Sequence, residues 1–308
     1  MSQKILIPGG SGFLGRYLGE FFIQKGYEIY ILSRGKAKVE DQMNFVHWDG
    51  ETLGDWAALM EEVDIVINMA GRTVNCRYTE ENKRQILESR LRSTRILGEA
   101  IQKAKNPPKI WFNSSSATIY EDTRGASLAN DESSSRIGDD FSMGVCKQWE
   151  KVFNEAQTPH TRKIILRTAI TLGMQGGALP PLVNMAKWGL GGKQAGGQQF
   201  VSWLHVKDFA RIIDFLMQNE EAEGVYNAAA PNPMLNQDFM QILRKVCGRS
   251  FGLPLQTWML KLGAVMIKTE TELLLKSRKV ISTRLAKEGF NFEYPTLEKA
   301  LRACLNLS

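Results

Sequence analysis

Ile5-Leu-Ile-Pro-Gly9-Gly-Ser-Gly12-Phe-Leu-Gly15 decides the fold of this 308-residue chain. A short apolar run, the mark of a buried strand, enters a G-x-x-G-x-x-G turn, and an amphipathic segment near Arg16–Lys25 leaves it. A glycine-rich turn by itself merely connects a strand to a helix. Set between this strand and this helix, it has the context a dinucleotide-binding turn requires. Gly9 permits the tight turn, Gly12 lets backbone approach a pyrophosphate, and Gly15 lets helix pack on strand. The exposed N–H groups and the positive end of the following helix then place phosphate over Ser11, Gly12, Phe13 and Leu14.

Outward from that turn, the second strand reads Glu28–Ser33 and ends at Ser33-Arg34. An acidic residue there would bind the ribose 2′-hydroxyl of NAD and repel a 2′-phosphate. Arg34, with Lys36 and Lys38 nearby, suits the extra phosphate of NADP(H), because a guanidinium pairs bidentately with it. The alternative is a solvated surface arginine.

Further apolar runs at Asn44–Trp48, Asp64–Met69, Lys109–Ser115 and Lys163–Thr168 alternate with amphipathic segments near Asp55–Glu61, Thr79–Lys105 and Ser142–Ala156. Strand–helix alternation of this kind predicts an α/β, doubly wound parallel sheet of the Rossmann type. Past Leu172 the rhythm changes. A glycine-rich stretch, Gly173–Gly197, reads as a loop or mobile region, followed by a strand at Gln199–His205, a helix at Val206–Gln218 and a strand at Gly224–Ala229. From Leu235 onward the pattern is mostly helical, through Gly289–Tyr294 to a short terminal helix. The predicted division is a nucleotide domain over 1–172, completed by 199–229, and a smaller, mostly helical substrate-binding part over 173–308.

Hydrophobic residues make up 43% of the chain and charged residues 23%, an ordinary globular mixture. No apolar run approaches the roughly 18 residues a bilayer span needs, and strand-like sequence begins at Lys4, leaving no room for a signal peptide. A cytoplasmic protein without a membrane partner is expected. Cys76, Cys146, Cys247 and Cys304 form no C-x-x-C pair, and His47, His160 and His205 show no ligand spacing, so neither disulfides nor a metal is expected. The net charge of +6 is spread along the chain without a nucleic-acid-binding signature, which argues against a nucleic-acid partner.

Three motifs extend the reading: the glycine turn, Asn68-Met-Ala-Gly71, and Ser114-Ser-Ser-Ala-Thr-Ile-Tyr120. Together they resemble the extended short-chain dehydrogenase/reductases, the group that includes nucleotide-sugar epimerases and dehydratases. Val63–Gly71, Arg77–Glu81, Ser89-Arg90, Val145–Glu150, Arg167–Gly173, Trp203–Asp208, Tyr226–Pro231 and Gly289–Phe292 narrow the resemblance to an atypical branch. That branch comprises epimerase-like proteins of the NAD-dependent epimerase/dehydratase family, with unknown substrate and a C-terminal domain of their own.

The resemblance implies that Met69, Ala70 and Gly71 pass the adenosine and ribose side of the cofactor. It also implies that Arg90 helps hold NADP, that Gln85 approaches from the same helix, that Ser114 belongs to the cofactor site, and that Leu166, at a strand end, lies near the nicotinamide. An ordinary helix salt bridge is the alternative for Arg90.

Catalytic members of the wider group use a Ser, a Tyr and a Lys. Ser116 matches the Ser and Lys147 the Lys of Y-x-x-x-K, but Met143 stands where the Tyr belongs and can neither donate nor accept a catalytic proton. Tyr120 is either a substitute proton donor or a structural residue. Cys146 is either a thiol at the site or packing. His205, before a helix that Asp208 could cap, either points into the substrate cleft as an acid/base or is structural. Two functions follow: an NADP(H)-dependent, epimerase-like oxidoreductase acting on a small carbonyl, alcohol or sugar-like molecule, or a non-catalytic NADP(H)-binding sensor or partner-binding protein. A monomer or a homodimer fits either.

Overall fold

The computed structural model describes residues 2–134, 136–259 and 275–307. Strands β1 (Lys4–Pro8), β2 (Glu28–Ser33), β3 (Lys38–Glu40), β4 (Met43–His47), β5 (Ile65–Asn68), β6 (Ile110–Ser116) and β7 (Arg162–Thr168) join β11 (Gly224–Ala228) in one sheet of order β11-β7-β6-β5-β1-β2-β4-β3. Every neighbouring pair is parallel except β3–β4. The chain winds outward from β1 in both directions, so a crevice opens beyond the carboxyl ends of β1 and β5, where such sheets take their ligands.

The strands are near-continuous apolar runs because both faces are covered. Ile5, Leu6 and Ile7 are fully buried. On one face, helices α1 (Phe13–Ile23) and α5 (Val206–Gln218) contribute Leu18, Phe22, Phe209 and Ile213 to the core. On the other, α2 (Glu80–Lys103) and α3 (Phe141–Glu155) contribute Ile96, Leu97, Ile101 and Phe153, packed on Trp111 and Trp56. Burying each such side chain contributes about 1.5–3 kcal/mol. Thr79 caps α2 by accepting from the Asn82 N–H at 3.2 Å, and Asp140 caps α3 by accepting from that of Met143 at 3.0 Å.

A smaller cluster gathers beside the sheet. Helices α4 (Leu179–Lys187), α6 (Asn236–Val246) and α8 (Leu297–Cys304) pack Leu179, Val183, Phe239, Leu243 and Leu301 around Trp203. Strand β8 (Ile170–Leu172) leads into it, and α7 (Thr283–Lys287) packs back on the edge strand β11 through Leu285.

Several boundaries differ from those the sequence predicts. The first helix begins at Phe13 rather than Arg16, which brings its amino terminus right up to the glycine turn. Asp55–Glu61 forms a 3-10 helix. The glycine-rich stretch contains α4, whose Pro180 and Pro181 occupy its first turn, where a missing N–H costs nothing. Gln199–His205 is two strands: β9 (Phe200–Val201) runs antiparallel to β12 (Met234–Leu235), and β10 (Trp203–His205) runs parallel to β8. Ser202, between them, exchanges hydrogen bonds with Arg278 O and Val280 N, so the chain changes sheets there. The prediction of mostly helical structure beyond Leu235 holds for α6, α7 and α8. Residues 249–256 and 276–282 are non-helical, and residues 260–274 lie outside the described residues.

Candidate functional site

The turn between β1 and α1 is built from close backbone approaches. Gly9 has φ +72°, and a Cβ there would stand 2.6 Å from the Ala70 Cα. A Cβ on Gly15 would stand 2.3 Å from the Gly10 Cα, so this helix turn packs directly on the loop. Gly12 differs: nothing lies within 4 Å of where its Cβ would be. Gly12 is exposed at the amino terminus of α1, where the first backbone N–H groups lack helical partners and suit an anion. The Phe13 ring is covered by the segment after β8, where a Cβ on Gly173 would come within 2.6 Å of it.

At the end of β2, Gly9 N–H donates to Leu32 O at 2.9 Å, which seats the glycine turn two residues from Arg34. Ser33 is half-buried and Arg34 exposed. Of the basic cluster predicted there, Lys38 is otherwise engaged: it lies in β3, pairs with Glu40 at 3.0 Å and sits 5.2 Å from the Phe45 ring centroid. Glu40 also takes Arg16 at 2.7 Å, and Arg16 and Lys38 together hold its carboxyl below the usual range. The sequence reading missed this arm because β3 is a three-residue edge strand.

Beyond β5, Met69 N–H donates to Pro8 O at 2.9 Å, and Arg72 N–H donates to the Ser89 hydroxyl at 2.9 Å. Met69, Ala70 and Gly71 are thereby fixed between the glycine turn and α2. Arg90 lies under them: a Cβ on Gly71 would be 3.0 Å from its Cζ. Its guanidinium donates to the carbonyls of Arg72 (3.0 Å) and Ile86 (2.8 Å) and lies 5.1 Å from the Trp149 ring centroid. Among the described residues no carboxylate pairs with it, and burial pulls its pKa down. The helix salt bridge considered for Arg90 is not formed. Gln85 is half-buried and donates to Glu81 on the same helix.

The ends of β6 and β7 hold the remaining predicted residues. Ser114 is half-buried and donates to Met69 Sδ at 2.9 Å, and Leu166 lies in the core beside it, the two being register partners. Ser116 is half-buried, and its Oγ accepts from the Thr118 N–H. Met143 is buried on the first turn of α3. Lys147, a turn further on, reaches outward to an ion pair with Asp139.

Tyr120 is fully buried. Its hydroxyl donates among Asp131 O (2.9 Å) and Asn227 Oδ1 (2.9 Å) and accepts from Arg167 (3.0 Å), while burial raises its pKa. Among the described residues the hydrogen bonds of its hydroxyl go to this network, and those of Ser116 and Lys147 go to Thr118 and Asp139. Cys146 is buried, and burial pushes its thiol up to about 11.

His205 is buried, stacked on Tyr294 with ring centroids 3.9 Å apart, and pushed down to about 4 by burial. It, rather than Asp208, caps α5, its Nδ1 accepting from the Lys207 N–H at 3.1 Å. Asp208 instead accepts the N–H groups of Glu293 and Tyr294, both at 2.9 Å, and pairs with Arg211.

Two buried polar networks went unread in the sequence. Ser115 donates to Glu150 at 2.6 Å, Glu150 takes Arg167 bidentately, and Arg167 leads to Tyr120 and Asn227. Asn68 donates to Asn113 at 2.7 Å and to Thr94, which also accepts from the Trp149 indole. These side chains come from β5, α2, β6 and the turn after it, α3, β7 and β11, so no local pattern marks them. The only signal is polarity inside otherwise apolar runs, as at Asn68 and Asn113.

The model of the NAD dependent epimerase/dehydratase family matches residues 5–229, and one described only as a domain of unknown function (DUF1731) matches residues 257–304. Epimerase family protein YfhF of Bacillus subtilis is 32% identical over 305 residues, 97% of each chain. The human epimerase family protein SDR39U1 is 30% identical over 307 residues, 97% of this chain and 99% of its own. A crystal structure of human SDR39U1 (isoform 2) with NADPH superposes with a TM-score of 0.87 at 29% identity, covering 99% of this chain and 100% of that one. Among the described residues no helix is long and apolar enough to cross a membrane. The chain belongs to the NAD dependent epimerase/dehydratase family, whose model spans β1 to β11, and carries DUF1731 in its C-terminal segment.

Proposed function

We propose that this protein binds NADPH along the carboxyl ends of β1, β2 and β5 and acts as an epimerase-like oxidoreductase. Its substrate is a small carbonyl, alcohol or sugar-like molecule, and it works in the cytoplasm as a monomer or homodimer. Residues 1–172 with 199–229 hold the cofactor; residues 173–308 shape the substrate side. The observation that carries this reading is the open space at Gly12 between two glycines closed against backbone. The likeness to an NADPH-bound human relative supports the choice of cofactor.

NADPH, when bound, supplies a hydride. The chain's own residues do the rest. N–H groups from Ser11 to Leu14 receive the pyrophosphate, and Arg34 pairs with the 2′-phosphate. Met69, Ala70, Gly71 and Gln85 flank the adenosine side, and Arg90, a half-buried cation that pairs with no carboxylate among the described residues, faces cofactor anion or carbonyl groups. Ser116 orients the substrate oxygen, and Lys147 exchanges Asp139 for the nicotinamide ribose. Tyr120 belongs to the buried network that fixes the ends of β6 and β7, and His205 anchors the substrate side of the fold.

Met143, which cannot move a proton, favours a second reading, a non-catalytic NADPH sensor or partner-binding protein. The test is a calorimetric titration with NADPH and NADH, followed by incubation of the NADPH complex with a fractionated metabolite pool while cofactor absorbance is monitored. NADPH-selective binding with turnover supports the enzyme. Selective binding without turnover in any fraction supports the sensor, and no NADPH binding overturns both.

A further inference from the structure

Two loops are joined by their backbones beside α4 and α6. Leu253 N–H donates to Gly189 O at 2.8 Å, Gly192 N–H to Leu253 O at 3.0 Å, and Leu255 N–H to Lys193 O at 3.0 Å. Arg244 of α6 holds the first loop by donating to Gly191 O at 2.7 Å. The large apolar side chains of these loops are left in solvent: Trp188 is 83% exposed, Phe251 66%, Leu253 49% and Leu190 39%. The helical cluster beneath is filled by Val183, Ala186, Phe239 and Leu243, and none of the four belongs to it. A lone exposed apolar residue is ordinary, but four on two joined loops mark a contact surface.

The charge around them has one sign. Lys187, Lys193 and Arg249 are exposed, and among the described residues none of them pairs with a carboxylate. Burial raises the pKa of the Cys247 thiol at the end of α6, and Lys187 and Arg249 both oppose it, so both cations stand near that residue. Lys245, a fourth cation, is taken by Glu298 of α8. Residues 156–207 and 239–259 contain no Asp or Glu, so neither loop supplies a counter-charge of its own.

Exposed rings and leucines on a positive surface suit a partner that lays a dense negative layer over an apolar one. An anionic bilayer leaflet is built that way: aromatic rings settle at headgroup depth, and Lys and Arg gain from the lipid charge. A single-stranded nucleic acid is bound on aromatic stacking faces, which Leu190 and Leu253 do not offer. A contact of this kind lies on the membrane and needs no helix that crosses it.

We infer that the 187–193 and 249–254 loops form a surface that docks reversibly on an anionic membrane leaflet. Trp188 and Phe251 enter the headgroup layer, and Lys187, Lys193 and Arg249 pair with lipid phosphates. The contact is independent of the NADPH reading.

The test is flotation of the whole chain with vesicles of equal parts phosphatidylglycerol and phosphatidylcholine, and with vesicles of phosphatidylcholine alone. Binding to the mixed vesicles should be about tenfold or more tighter and should weaken as salt rises. Trp188→Ser with Phe251→Ser should reduce it about tenfold or more. Lys187→Gln with Arg249→Gln should reduce it about twentyfold, roughly fivefold for each charge removed, and reduce the preference for anionic lipid with it. Both pairs change exposed side chains, so the thermal midpoint should stay where it is. Absence of binding to the mixed vesicles, equal binding to the two kinds, or binding that survives both double variants overturns the inference. Capture of a single-stranded oligothymidine in place of the vesicles, or self-association that Trp188→Ser with Phe251→Ser abolishes while vesicles stay bare, also overturns it and assigns the patch to nucleic acid or to a second copy.

Discussion

Glu150 and Arg167 face each other as a bidentate pair inside the fold, Nε to Oε1 at 2.9 Å and Nη2 to Oε2 at 2.8 Å, with side chains 9% and 11% exposed. Removing one partner leaves the other charge buried. Glu150→Ala or Arg167→Ala should each destabilise the protein by about 3–5 kcal/mol, as measured by urea unfolding. The double variant should lose clearly less than the sum of the two. Additive losses would show that the pair acts as two independent contacts.

Gly12 and Gly15 separate binding from folding. Gly12→Ala adds a methyl to open space, so stability should stay within about 0.5 kcal/mol while NADPH affinity falls steeply. Gly15→Ala drives a Cβ into the Gly10 backbone and should lower the thermal midpoint as well. Unchanged NADPH binding in soluble, folded Gly12→Ala would remove the cradle from the proposed function.

Arg34→Ala should weaken NADPH binding by about ten- to a hundredfold and leave NADH nearly unaffected, the loss of one charge-assisted contact to phosphate. Paired titrations of both cofactors read this directly. Equal losses would show that Arg34 does not recognise the 2′-phosphate.

His205 predicts the pH dependence of stability. Its folded pKa, about 4, lies below the ordinary 6.5 because burial disfavours the charged ring. Between those values the unfolded chain holds the extra proton. The stabilisation from keeping His205 neutral is therefore complete above pH 6.5 and is lost as pH falls toward 4, by roughly 3 kcal/mol. His205→Asn retains a cap for α5 and should flatten that part of the curve in urea unfolding measured across the range. An unaltered slope would assign the acid sensitivity elsewhere.

What the sequence made legible follows from locality. The Gly9–Gly15 turn, the parallel strands and the basic residue after β2 are written within short windows, where strand, turn and helix patterns are read directly. The part that escaped depends on contacts between distant segments. Tyr120 is read from the sequence as either relay or structure, and only its enclosure by Arg167, Asn227 and Asp131 shows which surroundings it has. The sequence offers Asp208 as the cap of α5, but His205 takes that role, because the 293–294 segment that claims Asp208 lies some 85 residues away. Helix α4 is hidden by the glycines around it, since its start signal is a proline pair rather than a polar cap.

The position of β11 has a further consequence for anyone dividing this chain. Its main-chain groups complete the ladder of β7, yet they arrive only after α4, β9, β10 and α5 have been made. A fragment ending at Leu172 would display a raw sheet edge, with the row of unpaired amides that recruits other chains. Such a fragment should aggregate rather than fold as a lone nucleotide binder. A minimal cofactor module would have to be rewired, with the β11 segment joined back to β7 by a new connection.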